Sequence, residues 1–253
     1  MGQMIKTVFT RFFGAFVSGK RAAYTAMFIM LVAPLTSFVD RLLAPLFLRV
    51  PNSYKTPPCL MIAASSRSGA TIVNQVLTRE LSCVYISNMH ILLPNFGSAI
   101  LSILNMWGKG SMKHKNYYGY TASLFDVNEA NDIVKRLISV NLSKQQRAEL
   151  FRIFCYRMGA TSERPLVFKN VRHFEKLSLL TDAIPEINFA HVYRKPQFAA
   201  QSVLRAYFEL GYYHPVPHTL QNDQSEPIEF SVKQVFEVNR IIHEQIKLAG
   251  EGK

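Results

Sequence analysis

The chain is poor in acid, cysteine and tryptophan. Its 17 acidic residues face 29 basic ones, a net charge of +12. That imbalance favours a polyanionic partner: nucleic acid, an anionic membrane or a multiply charged nucleotide. It carries no zinc-finger spacing, basic zipper, RNA-recognition signature or basic-aromatic repeat, so nucleic acid is not the expected partner. The three cysteines, Cys59, Cys83 and Cys155, give neither a disulfide framework nor a Cys-x-x-Cys metal knuckle. Their scarcity suits a reducing compartment. None of the 7 histidines has convincing ligand spacing, and no metal is expected. With 253 residues the chain is long enough for one α/β domain with a full core.

Long hydrophobic runs are scarce too, except near the start. Ala22 to Val39 is uncharged and largely apolar, at the lower length limit for a membrane span, and Pro34, Thr25, Thr36 and Ser37 weaken it. Leu42 to Leu48 is a second apolar patch. Residues 1–50 hold six basic residues (Lys6, Arg11, Lys20, Arg21, Arg41, Arg49) against one acid, Asp40. No signal-peptide cleavage site is convincing, and Lys6 stands where myristoylation needs Ser or Thr. The segment is expected to be helical and to associate with a membrane at its cytoplasmic face. A signal-anchor helix, an interfacial helical hairpin and a soluble helix packed on the domain stay open. If it spans, Lys20 and Arg21 place the N-terminus in the cytoplasm. Pro51, Asn52, Ser53, Pro57 and Pro58 mark a linker, dividing the chain into 1–50 and 51–253.

The most informative stretch is Cys59 to Leu81. Cys59 to Ala64 reads as a buried strand, Ser65 to Thr71 as a small polar turn, and Ile72 onwards as a helix with one apolar face. Strand, loop and helix in that order present backbone N–H groups to an anion. Arg67 adds a fixed charge, and Ser68 and Thr71 add hydroxyls. This is not the nucleoside-triphosphatase loop, because Ala70 rather than lysine follows Gly69.

Further strands are expected at Cys83–Ile86, Pro165–Lys169 and Ile187–Tyr193. Helices are expected at Leu124–Val140, Ser143–Met158, Phe174–Ala183, Gln197–Leu210 and Glu229–Leu248. Residues 87–112 read as helix and loop. Ser143, with Gln146 three residues on, has the pattern of a capping box. Pro196 suits a first helical position. Lys109 to Tyr120, rich in Lys and Tyr, reads as a surface loop or as a lid over an acceptor. Alternating strands and helices argue for a parallel sheet covered on both faces, with ligands beyond the carboxyl ends of its strands. Arg67, Lys169 and Arg194 all fall at such ends.

Arg194 and Ser202 sit eight residues apart, at a strand end and about two turns into the next helix. From there a guanidinium and a hydroxyl can meet on one phosphate. Ser66-Arg67-Ser68-Gly69-Ala70-Thr71 resembles the 5′-phosphosulfate loop of sulfotransferases, roughly Pro-Arg/Lys-Ser-Gly-Thr-Thr, departing at Ser66 and Ala70. Phe189 to Pro196 with Ser202 resembles their 3′-phosphate element, departing at Lys195, where aspartate is usual. Lys169-Asn170 is similar to a Lys-Asn pair of bacterial members. The resemblance covers roughly residues 57–210.

The resemblance implies a P-loop-like three-layer α/β sandwich with a central parallel sheet. It implies a sulfotransferase with 3′-phosphoadenylyl sulfate (PAPS) as donor, and a carbohydrate or lipid (glycolipid) hydroxyl as acceptor. Ser66, Arg67, Ser68, Gly69, Ala70 and Thr71 would hold the 5′-phosphate, and Arg194 and Ser202 the 3′-phosphate. Lys169 would face the bridging oxygen, and His90 or His173 would be the base. Members usually continue with a further strand and a basic loop over the nucleotide, so the 51–253 domain is expected to lack that C-terminal portion. The alternatives are a catalytically impaired relative that binds at a membrane, and another P-loop nucleotide enzyme such as a kinase.

Overall fold

A computed structural model describes residues 21–47, 49–104, 123–139, 141–181, 184–213 and 215–251. The expected lid, Lys109 to Tyr120, lies outside the described residues, as do residues 1–20.

Four parallel strands form the sheet: β1 (Cys59–Ala64), β2 (Val84–Tyr85), β3 (Leu166–Asn170) and β4 (Ile187–Val192), in the order β2-β3-β1-β4. β1 is central, with Cys59 beside Leu166 on one flank and Ile187 on the other. Its side chains alternate between faces, as strand geometry requires. Cys59, Met61 and Ala63 join the larger core with Phe168, Phe151, Cys155 and Ile242, whereas Ile62 and Ala64 pack with Val167 and Ala70 on the other side. Both faces of the sheet are therefore covered by helices. Near-continuous apolar strands follow from that arrangement.

α1 (Arg21–Phe47) precedes the sheet. α2 (Ala70–Glu80) leaves β1 through the polar loop and lays Val73 and Leu77 on the smaller core. α3 (Met89–Leu92) and α4 (Gly97–Ile103) follow β2. Asp40 of α1, 1% exposed, accepts hydrogen bonds from the backbone N–H groups of Asn95 (3.0 Å) and Phe96 (3.0 Å) between them. Ser37 Oγ donates to the Ile91 carbonyl at 3.0 Å. These contacts tie α1 to the α3–α4 turn.

Where helix was expected over Leu124–Val140, only α5 (Asn131–Leu137) forms. The residues before it carry Asp126 and Asn128, side chains that compete with helical hydrogen bonds. Asp126 accepts from the Ser123 N–H at 3.1 Å, and Asn128 N–H donates to the Ile86 carbonyl at 2.7 Å. The chain thus runs along the sheet edge, and Glu129 pairs beside Lys169.

α6 (Lys144–Met158) has the capping box complete: Gln146 N–H donates to Ser143 Oγ, and Ser143 N–H to Gln146 Oε1. The expected helix from Phe174 is instead a 3-10 turn, Phe174–Lys176, and a short α7, Ser178–Thr181. Ser178 turns both its N–H and its hydroxyl to Gln245 Oε1 at 3.2 and 2.9 Å, a tertiary bond that breaks the run. α8 (Pro196–Leu210) begins on Pro196, and α9 (Pro227–Glu251) closes the larger core with Val238, Ile241 and Ile242.

Candidate functional site

The site is built where β1, β3 and β4 end side by side. After Ala64 the chain makes a tight turn, with Ser68 N–H donating to the Ser65 carbonyl at 3.3 Å. Arg67 is held at φ 66° and Gly69 at φ 95°. Glycine tolerates that region, but for arginine it costs about 1–2 kcal/mol, and such strain gathers at ligand-binding turns. The turn brings Ala70 and Thr71 to the first positions of α2, whose leading amides have no partner within a helix. Ser65 Oγ and Ser68 Oγ are buried with no hydrogen-bond partner among the described residues. An anion in the cradle of the loop would suit such hydroxyls.

Two groups of side chains flank this loop. On the β4 side, Arg67 Nε donates to Ser202 Oγ at 3.0 Å, and Arg194 Nη1 donates to the Arg67 carbonyl at 3.2 Å. The Arg194 guanidinium also lies 6.0 Å from the ring centroid of Phe198. Burial lowers the Arg67 pKa; Glu209 opposes the shift, while Arg194 and Arg205 add to it. Sequence reasoning named Arg67, Arg194 and Ser202 but missed Arg205. It lies three residues past Ser202, a spacing that puts both on one helix face.

On the β3 side, Lys169 Nζ donates to Thr71 Oγ1 at 2.8 Å and pairs with Glu129 Oε1 at 3.1 Å. Lys169 is 2% exposed. Asn131 Nδ2 donates to Glu129 Oε2 at 3.0 Å, and Arg172 lies 3.8 Å from that oxygen. Burial pushes the Glu129 carboxyl up, but Lys169, Asn131 and Arg172 together outweigh it and hold the pKa below its ordinary value. Sequence reasoning missed Glu129 because it placed that residue inside a helix. The turn-forming Asp126 and Asn128 just before it were the available signal.

The two histidines fare differently. His173 follows β3 closely, and its N–H donates to Asn170 Oδ1 at 2.8 Å. Its Nδ1 is buried and has no partner among the described residues. Burial, then Arg172 and Lys135, lower its pKa, with Glu129 opposing. His90 lies on α3, and its ring is held by neighbours inside the fold. Ser87 N–H donates to Nδ1 at 3.0 Å, which leaves the proton on Nε2, facing Ser98 Oγ at 2.9 Å. Burial lowers its pKa to about 4. With both nitrogens engaged inside the fold, His90 has the environment of a core histidine.

Among the described residues, no group of three or more His, Cys, Asp or Glu is placed to hold a metal ion. The sheet-end cluster brings together guanidinium groups, hydroxyls, helix-start amides and an ammonium paired with the Glu129 carboxylate.

No protein-family model and no curated protein matches the chain. Among solved structures, the crystal structure of the sulfotransferase STF9 from Mycobacterium avium is similar at 15% identity, with a TM-score of 0.47. The match covers 86% of this chain and 60% of that one. A likeness of this degree assigns no role to any residue.

Proposed function

We propose that this chain binds 3′-phosphoadenylyl sulfate and transfers its sulfuryl group to a hydroxyl of a carbohydrate or lipid acceptor. The reading is carried by one observation: the Arg67–Ser202 hydrogen bond, which joins the loop after β1 to the element after β4. A donor with phosphates at two positions needs two such elements side by side. In this reading the loop amides, Ser65, Ser68 and Arg67 hold the 5′-phosphate, and Arg194 with Ser202 reads the 3′-phosphate.

The acceptor oxygen forms a bond to sulfur as the bond from sulfur to the 5′-phosphate oxygen breaks. Adenosine 3′,5′-bisphosphate leaves, and the acceptor proton passes to a base. Catalysis is then mostly positioning and neutralisation of charge on the leaving oxygens. Lys169, beside Thr71, is the cation for the leaving oxygen. His173, after β3, is the remaining histidine for the base. A second reading, a relative that binds the nucleotide without transfer, is favoured by the internal engagement of His90.

Isothermal titration with adenosine 3′,5′-bisphosphate tests the binding. Affinity at least about tenfold above that for adenosine 5′-phosphate is expected, because a charged hydrogen-bond partner is worth about 1.5–3 kcal/mol. Arg194→Ala should remove that preference. Folded protein that gives no heat with the bisphosphate would sink both readings, and binding without sulfate transfer to any acceptor in a lysate would favour the second.

A further inference from the structure

α1 is apolar on two opposite faces, and the described residues cover only one of them. Its inner face carries Ile29, Asp40 and Ala44, all buried, and Asp40 fixes it to the α3–α4 turn. Its outer face carries Phe28, Leu31, Leu35, Phe38 and Leu42, exposed by 50, 63, 69, 61 and 60%. Their spacing of three and four residues puts them in one stripe about 21 Å long at 1.5 Å per residue, opposite the Asp40 face. A helix that is apolar all round belongs inside something, and an exposed stripe of this size marks an interaction surface.

Charge identifies what covers it. The only acid in α1, Asp40, is turned inward and used by Asn95 and Phe96. Arg41 and Arg49 are exposed, and the whole chain carries +12. A second copy of this helix would set Arg41 near arginine, with no acid to form the flanking ion pairs that specify paired helices. Pro34 and Pro45 also lie inside the helix, where each removes a backbone donor and disfavours the straight geometry of paired helices. Apolar and aromatic side chains flanked by arginine, with no exposed acid, match the headgroup and acyl boundary of an anionic bilayer. Among the described residues no helix is long and apolar enough to cross a membrane.

We propose that the outer face of α1 lies flat in the surface of an anionic lipid bilayer and holds the α/β unit against it. The stripe enters the acyl boundary, and Arg41 and Arg49 lie at the phosphate level. This surface is independent of the chemistry proposed above.

The test is co-sedimentation of the full chain with vesicles of phosphatidylcholine, with and without phosphatidylserine. Binding is expected to the phosphatidylserine vesicles, with weaker binding to phosphatidylcholine alone. Leu35→Gln with Phe38→Gln should weaken partitioning by about tenfold per side chain. Both residues are exposed, so the thermal midpoint should not move. If that variant melts early, Arg41→Gln and Arg49→Gln supply the second measurement, each expected to lower binding to phosphatidylserine vesicles about fivefold. Three outcomes overturn the proposal: a chain that stays in the supernatant with phosphatidylserine vesicles, folded variants that pellet like the wild type, or a lipid-free dimer by light scattering that Leu35→Gln with Phe38→Gln abolishes.

Discussion

Arg67 Nε donates to the Ser202 hydroxyl at 3.0 Å, across 135 residues of sequence. One residue sits in a loop held at a left-handed backbone angle, the other two turns into a helix that starts after a neighbouring strand. The register between β1 and β4, with Ala64 opposite Val192, sets that distance. A guanidinium and a hydroxyl fixed in this way need little rearrangement to hold the two phosphates of one nucleotide.

Their contact makes their contributions to nucleotide affinity interdependent. Arg67→Ala and Ser202→Ala are each expected to weaken adenosine 3′,5′-bisphosphate binding, by about 1.5–3 kcal/mol for the arginine. The double variant should lose less than the sum, with a coupling of about 0.5–3 kcal/mol. Titration calorimetry on the four proteins measures this directly. Strict additivity would mean that the Arg67–Ser202 contact does not couple their contributions to binding.

The backbone of Arg67 allows binding and stability to be separated. At φ 66° any side chain with a Cβ is strained, and glycine is not. Arg67→Gly and Arg67→Ala remove the same guanidinium, so both should lose nucleotide affinity alike. In urea unfolding, however, the glycine variant should be the more stable by about 1 kcal/mol. Equal midpoints would show that the loop relaxes out of the left-handed region.

His90 should make the fold acid-sensitive. Its pKa is lowered from 6.5 to about 4 in the folded chain. Between those values the unfolded chain holds more protons than the folded one, so stability falls as pH falls through this window. The contribution is fully present above the unfolded value and amounts to on the order of 3 kcal/mol. Carboxylates titrate in part of the same range, so the comparison is with His90→Gln. Urea midpoints at pH 7 and pH 4.5 should draw closer together in the variant. His90→Gln that is still folded should also keep its affinity for the bisphosphate, since both ring nitrogens are engaged by Ser87 and Ser98.

Much of this arrangement is legible in the sequence where local pattern and tertiary demand agree. Cys59 to Ala64 and Ile187 onwards are apolar runs bounded by breakers, and both are strands. Ser143 and Gln146 carry their capping signal within four residues, and the cap forms as read. Arg67, Lys169 and Arg194 were placed at strand ends by the strand–helix alternation alone, and the parallel sheet sets those ends together. What escaped depends on partners distant in sequence. Glu129 leaves an expected helix to lie beside Lys169, and Ser178 gives up helical continuity for Gln245. His90 looked available only because nothing local reveals Ser98, eight residues on, as its partner.

The Lys169–Glu129 pair gives the sharpest separation of structure from chemistry. Lys169 is buried between Thr71 Oγ1 and Glu129 Oε1, and the carboxylate is kept ionised by it against the effect of burial. Lys169→Met removes the cation and leaves that carboxylate without its main partner. Breaking a buried pair from one side costs about 3–5 kcal/mol, and the Glu129 pKa should rise as burial takes over. Glu129→Gln in the same chain removes the stranded charge, so most of the lost stability should return. Sulfuryl transfer should not return, because the ammonium beside Thr71 is what would neutralise the leaving oxygen. Urea unfolding and transfer of labelled sulfate, measured on the single and double variants, test the two halves separately. Recovery of both stability and transfer in the double variant would make Lys169 a purely structural residue.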